Sequence, residues 1–355
     1  MLKQFLSFTI ILQLFACMSP AYDSIDQQMI EYSGEDTPGA AVMVIKDGKP
    51  VFTQTYGTAD IENKTPIAEN TNFRLASVSK QFTATAILLL IQDGKLSLKT
   101  PVKDILKELP EATNNITIHH LLNHTSGIID YEDFVPDTAM NPQIKDAGVY
   151  EILKDKDSLY FSPGDQFRYS NSAYSLLALV VEKISGKNFA GFLKERIFLP
   201  LGMNETLAYE KGISEVKNRA YGHDRKDGKW IRRDQSSTSA VLGDGGIYSS
   251  LTDLFKWDQA LNGSTLLNDS LRNQMVEYQI LNNGESIKYG LGYHLKKNEN
   301  GEEVVYHTGS TTSFRNIYYR IPSKNLSIIL LTNRNSPGEF GTVPLAEAIL
   351  KEFDQ

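Results

Sequence analysis

Strand-forming sequence is concentrated at the two ends of this chain, with a long helical stretch between, so any sheet has to bring the two ends together. Near the N-terminus, AAVMVIKDGKPVFTQTYGTAD carries two β-rich runs on either side of Asp47-Gly48. That dipeptide favours a two-residue hairpin, because both turn residues must take positive φ. Near the C-terminus, YGLGYHL, EEVVYHTG, SFRNIYYRI and LSIILLTN repeat the strand signature, the last two joined by a turn from Pro322 to Asn325. From Pro101 to about Leu201 the pattern is helical: TIHHLLNHTSGI, then SAYSLLALVVEKISG closing at Gly186, then FAGFLKERIFLPLG. Shorter helices are predicted over Asp23 to Glu31, after a Gly-rich stretch with Thr252 as N-cap, and over Val343 to Phe353; Asn72 to Leu75 reads as a short strand. The expected fold class is α/β of the α+β type. One antiparallel sheet is built from N- and C-terminal segments and flanked by helices, with an all-helical region inserted at about 100–250. With 355 residues, 41% of them hydrophobic, the chain can bury the core this needs.

The net charge of -7, spread along the chain, argues against nucleic acid as a partner, since a binder presents a basic face. The first residues differ from the rest. Lys3, an apolar run from Phe5 to Ala16, and small residues at Ser19 and Ala21 read as a secretory signal over residues 1–21, cut after Ala21. The run is too short and wrongly flanked for a membrane span. Cys17, the only cysteine, follows LFA as in a lipobox, although Phe15 fits that pattern poorly. Two outcomes stand: a periplasmic or secreted protein, or a lipoprotein whose only membrane contact is a lipid on Cys17. Residues 22–355 read as one domain.

Within FRLASVSKQF, Ser77 and Lys80 stand three apart just before an apolar run, Ala84 to Ile91. On a helix start, residues at this spacing share a side, and the helix dipole favours an anion on Ser77. A lysine depressed by burial can take a proton near neutral pH. The plainer reading makes Ser77 a cap and Lys80 a residue that reaches for solvent. The same pattern recurs at Ser214 and Lys217 without an apolar helix behind it. RYSNSAY supplies Tyr169 and Asn171, a phenol that ionises more easily beside a lysine and an amide able to bind both lysine and substrate, or else a core aromatic and its neighbour. YHTGS supplies His307, Gly309 and Ser310 on a strand, where a glycine lets a substrate backbone lie close and the Ser310 amide can donate to an oxyanion.

Taken in this order, Ser-x-x-Lys, Tyr-x-Asn and His-Thr-Gly resemble the serine β-lactamase and penicillin-binding-protein superfamily. The likeness is nearest to the branch that includes class C β-lactamases, DD-peptidases and related esterases. It covers nearly the whole mature chain, with LLNHTSGI and GDGGIYSSLTDL adding to it. The resemblance implies a sheet flanked by helices beside a helical region, with the site between. It implies Ser77 as nucleophile, Lys80 as its activating partner, Tyr169 as general base and then acid, and Asn171, His307, Gly309 and Ser310 as substrate-binding residues. The backbone amides of Ser77 and Ser310 would form the oxyanion hole. The implied chemistry is acyl transfer through an acyl-enzyme, without metal or cofactor. The implied substrates are small amides, esters or D-amino-acid peptides, peptidoglycan-derived peptides and β-lactams among them. A non-catalytic binding or scaffolding protein on the same fold is the alternative.

Many members carry a lysine where this chain has His307. A histidine of ordinary pKa is mostly neutral at pH 7 and holds a substrate carboxylate less firmly. Arg315, read as lying on an edge strand, either restores a cation or is a surface residue. His120 and His124 read as a helix end and turn rather than a metal pair. Gly243 to Gly246 reads as a loop at the pocket rim, and Tyr131 as a loop aromatic or a substrate contact. Gly-x-Ser-x-Gly does not occur.

Overall fold

The computed structural model describes residues 20–136, 141–336 and 341–354; Cys17 and nearly all of the predicted export segment lie outside them. The strands from the two chain ends join in one six-stranded sheet: β1 (Ala40–Lys46), β2 (Lys49–Tyr56), β3 (His294–Lys297), β4 (Glu303–Thr311), β5 (Phe314–Ile321) and β6 (Leu326–Thr332). Its order is β3-β4-β5-β6-β1-β2, antiparallel at every pairing. The ends meet where Met43 of β1 pairs with Ile329 of β6. The β1–β2 turn has Asp47 at φ 51 and Gly48 at φ 72, the two left-handed residues that a tight hairpin requires.

Side chains alternate between the two faces of a strand, and here both faces are covered. Val42, Val44, Ile328 and Leu330 share a core with Ile25 of α1 (Pro20–Gln28), Met29 just after it, and Ile349 and Leu350 of the C-terminal helix. Ala41, Met43, Ile45, Ile329 and Leu331 belong to the larger core shared with the helical region. The helices that matter next are α2 (Lys80–Gln92), α3 (Asn171–Ser185), α4 (Leu251–Leu261) and α5 (Thr342–Lys351), the last being the C-terminal one. α2 runs through the interior and is buried from Lys80 to Leu90, which is why its apolar residues are not confined to one stripe; Lys80, Gln81, Thr83 and Thr85 are the polar residues buried with them. Its Phe82 ring lies 4.4 Å from Trp257 and 5.5 Å from Phe198. On α4, Asp258 accepts from Tyr318 Oη at 2.7 Å and Ser327 Oγ at 2.6 Å, fixing that helix to β5 and β6.

Several local expectations shift. α2 begins at Lys80, and Ser77 sits before it on a 3₁₀ turn, Ala76–Ser79. Ser250, not Thr252, caps α4, accepting from Asp253 N at 3.3 Å, while the Thr252 hydroxyl donates to the Glu69 carbonyl. The short strand Phe73–Arg74 pairs with Ile247–Ser249, which also pairs with Leu207–Ala208. Within the helical region lies an unforeseen hairpin, His223–Lys226 with Lys229–Arg232, turning at Asp227-Gly228. β5 is an interior strand, so Arg315 is not on an edge. Its guanidinium donates to the Phe314 carbonyl at 2.8 Å and to that of Thr312 at 3.3 Å, which holds it against its own turn.

Candidate active site

Three segments distant in sequence meet around Lys80. In the 3₁₀ turn, residues three apart eclipse one another, so Ser77 and Lys80 stack and Lys80 Nζ lies 3.1 Å from Ser77 Oγ. The same Nζ lies 2.8 Å from Asn171 Oδ1 and 2.7 Å from the carbonyl oxygen of Asp244. Lys80 is 0% exposed, which removes the reading of a solvent-seeking lysine, and Ser77 caps no helix. Ser77 keeps partial access to solvent.

The turn is held under strain. Ala76 takes φ 51, a left-handed conformation that costs a non-glycine residue about 1–2 kcal/mol. Its neighbours hold it there. Leu75 N donates to Ile247 O at 2.8 Å, Asn316 Nδ2 donates to Arg74 O at 2.8 Å, and Ile247 N donates to Ser79 Oγ at 3.2 Å. Gly309 is the fourth support. A Cβ on it would stand 2.1 Å from the Leu75 carbonyl, so this glycine lets β4 press against the nucleophile turn. The room that the missing Cβ of Gly309 makes is taken by the Leu75 carbonyl, a role the sequence reading did not foresee beside that of admitting a substrate backbone. Past Tyr306, where pairing with β3 ends, no strand among the described residues pairs with the outer edge of β4.

Tyr169 precedes α3, whose Ser170 is the N-cap, accepting from Ala173 N at 3.1 Å, and whose first residue is Asn171. His124, at φ 62 in the turn after the Ile118–Leu122 helix, accepts from Ser170 N at 3.1 Å and packs its ring against that of Tyr169, 4.3 Å away and tilted by 37°. It is a support for the Tyr169 segment; His120 Nδ1 accepts from Thr117 N to cap its own helix. Lys80 Nζ sits 4.9 Å from the Tyr169 ring centre. The Tyr169 hydroxyl is buried toward Ser77 without completing a hydrogen bond. The second Ser-x-x-Lys takes no part: Ser214 donates to Glu210 O from a loop.

The β-lactamase family model matches residues 25–350. The chain belongs to the β-lactamase family. It is 33% identical over 343 residues to penicillin-binding protein 4* of Bacillus subtilis (strain 168), covering 92% of this chain and 74% of that one. It is 26% identical over 319 residues to a D-aminopeptidase of Gluconobacter oxydans (strain 621H), covering 88% of this chain and 59% of that one. Its fold matches the octameric penicillin-binding protein homologue from Pyrococcus abyssi with a TM-score of 0.79 at 27% identity, covering 93% of this chain and 75% of that one. This β-lactamase-family chain is a serine hydrolase.

Electrostatics in the cleft of this family member agree with the expectation of a neutral His307 and depart from that of an easily ionised Tyr169. His307 is 1% exposed, and both ring nitrogens are engaged: Nδ1 donates to Thr308 O at 2.7 Å, which leaves Nε2 to accept from Tyr289 Oη at 3.0 Å. Burial, then the charges of His294 and Lys80, hold it well below the ordinary histidine value. It is a neutral wall, 6.1 Å from the Tyr169 ring, and no cation for a carboxylate. Tyr169 does not ionise easily either, because burial drives the phenol well above its usual value against the pull of the Ser77 hydroxyl. Lys80 moves the useful way: burial lowers it, and the negative charges of Asp244, Glu132 and Asp130 oppose that.

Sequence reasoning missed Glu132 and Asp244. Glu132 stands at the cleft mouth, accepting from Asn171 Nδ2 at 3.2 Å, with Asp130 and Asp133 beside it. Crowding by protein, then the charges of Asp244 and Asp130, lift it to about 7. The signal was the acidic run DYED, which reads as solvated loop; Glu132 and Asp133 do stay exposed, and it is the hydrogen bond to Asn171 that ties the run to the site. Asp244 lay within Gly243 to Gly246, which proves to be a buried helical turn beneath Lys80 and not a rim loop. Tyr131, 0% exposed, donates to Asp244 Oδ2 at 2.9 Å and faces no substrate.

Proposed function

We propose that this serine hydrolase forms an acyl-enzyme on Ser77 with small amides, esters or peptides of D-amino acids, and that it favours substrates bearing a free amine over those bearing a carboxylate. The carrying observation is the charge pattern of the cleft. The histidine that replaces a cation is neutral and engaged on both nitrogens, while Glu132 and Asp130 crowd the mouth beside Asn171. An ammonium group on the substrate would be drawn to Glu132 and favour its ionised form, whereas a carboxylate would find no cation there and would favour the protonated form. The D-aminopeptidase among the relatives agrees with this reading.

The chemistry follows from Lys80. As the neutral amine, it accepts the Ser77 hydroxyl proton while Oγ bonds to the substrate carbonyl carbon. The oxyanion is received by the amides of Ser77 and Ser310. The bond to the leaving nitrogen or oxygen then breaks, and Tyr169, protonated at rest, passes a proton to the departing group and regains one from Lys80. Water repeats the sequence on the ester, freeing the acid and returning the proton to Ser77. Tyr169 thus acts as a relay and not as a resting phenolate. Residues 1–21 would direct export, placing such substrates outside the cytoplasm.

Comparing kcat/KM for D-alanine amide, N-acetyl-D-alanine amide and nitrocefin tests the reading. The free amide is expected to lead the other two by at least about ten-fold, the scale of one partly exposed charge pair. In Glu132→Gln that lead shrinks through a higher KM. Nitrocefin as the preferred substrate, or equal rates with and without the acetyl group, would overturn the amine preference.

A further inference from the structure

Beneath Lys80 lies a second acidic group that the acyl-transfer steps above do not use. The short turn Leu242–Gly245 passes under the nucleophile turn, and Asp244 is its central residue. The Asp244 main chain holds Lys80, its carbonyl lying 2.7 Å from Nζ. Its side chain is 8% exposed and accepts from the Tyr131 hydroxyl, itself on a residue with no exposure. The turn is fixed from below by Asp146, whose two oxygens accept from Leu242 N at 2.9 Å and Gly243 N at 3.1 Å. It is fixed from the side by Thr83, which donates to the Gly243 carbonyl at 2.7 Å. A buried carboxylate with one side-chain donor among the described residues, in a turn that already grips the catalytic amine, is an expensive arrangement if its only task is packing.

We propose that Asp244 is a positioning residue of the hydrolase, whose carboxylate, tied to Tyr131, sets the proton affinity of Lys80 while its carbonyl sets the amine's place. This rests on the reading of Ser77 as the acylated residue. The other groups facing Lys80 are the carboxyls of Glu132 and Asp130, the rings of Tyr169 and Tyr174, and the histidines His124, His294 and His307. Burial holds all three histidines below their ordinary value, so they bring no charge near neutral pH. Glu132 stands at the mouth, where water and salt weaken its effect. Asp244 is the interior carboxyl of the set: burial lifts it to about 7 against the pull of Lys80, and Asp146 and Arg74 are the other charges that bear on it. A negative charge there favours the Lys80 ammonium. It makes the amine a stronger base but leaves less of it free at a given pH.

The test is the pH dependence of Ser77 acylation, measured in single turnover with a p-nitrophenyl ester and, separately, with a fluorophosphonate, on wild type, Asp244→Asn and Tyr131→Phe. Acylation needs neutral Lys80, so loss of the Asp244 charge moves the acid limb to lower pH, by about one to two units for a close opposite charge. The plateau rate falls with the weaker base. Tyr131→Phe removes the donor that favours the carboxylate, and so moves the limb in the same direction by less. Should Asp244→Asn fail to fold, by circular dichroism and melting, Tyr131→Phe decides alone. Folded variants whose acid limb stays within about 0.2 units of wild type would overturn the proposal and reduce Asp244 to packing. A wild-type protein that no probe acylates on Ser77 would instead sink the acyl-enzyme reading on which the proposal stands.

Discussion

At the scale of single residues, the site is built from groups that are poor choices for stability. Tyr169 shows this most plainly: its hydroxyl is buried toward Ser77, and no described residue meets it at full hydrogen-bond geometry. A buried polar atom left unpaired costs about 1–3 kcal/mol, and it persists where the reaction supplies the missing partner. Tyr169→Phe is therefore expected to melt at the wild-type temperature or a few degrees above it, while kcat falls by about 10²- to 10⁴-fold, the usual worth of a proton-transfer group. A variant with lowered melting temperature and near-normal kcat would make Tyr169 a core aromatic instead. The residues themselves were legible in the sequence, since Ser77, Lys80, Tyr169 and Asn171 stand in spaced motifs. Their charge states were not. Whether a phenol ionises or a histidine carries a proton depends on burial and on partners such as Tyr289 and Thr308, which no local spacing encodes.

At the scale of elements, what the sequence showed and what it hid divide by how local the cause is. The β1–β2 hairpin was readable because Asp47 and Gly48 carry the turn on their own dihedrals. α3 was readable from its apolar run and the stop at Gly186, while its cap at Ser170 was not singled out. The true start of α2 was not, because the 3₁₀ turn before it and the left-handed Ala76 are imposed by contacts with Ile247, Asn316 and β4. The hairpin at Asp227-Gly228 had a local signal as strong as that at Asp47-Gly48, but its flanking residues are charged and read as loop. The close approach of β4 to the nucleophile turn yields a direct prediction. Gly309→Ala would set a methyl 2.1 Å from the Leu75 carbonyl, and something must move apart. A displacement of about 1 Å at Ser77 costs on the order of 10²-fold in rate. The expected result is that loss in kcat/KM in a protein that still folds, read by single-turnover acylation and circular dichroism. Unchanged acylation would mean that β4 does not position the turn.

At the scale of the whole molecule, the fold works by closing long distances. β1 pairs with β6, which joins the first strands of the chain to the last. α2 runs through the interior behind that sheet, and the helical region carries Tyr169 and Asp244 up against it. Strand-rich ends around a helical middle were enough to foresee this arrangement. They could not show that the acidic run after the Ile118–Leu122 helix would end at the cleft mouth, since that depends on how the inserted region packs. Because the Ser77–Lys80 turn, the phenol of Tyr169 and the Asp244 carbonyl come from separate segments, reactivity at Ser77 belongs to the folded molecule alone. The direct test is intact-mass measurement after exposure to a fluorophosphonate, with wild type, Ser77→Ala and urea-unfolded wild type compared side by side. One adduct per folded wild-type chain, mapped to the peptide containing Ser77, with none in the folded Ser77→Ala variant or the unfolded protein, is the predicted result. Equal labelling in Ser77→Ala, or no labelling of folded wild type, would contradict it.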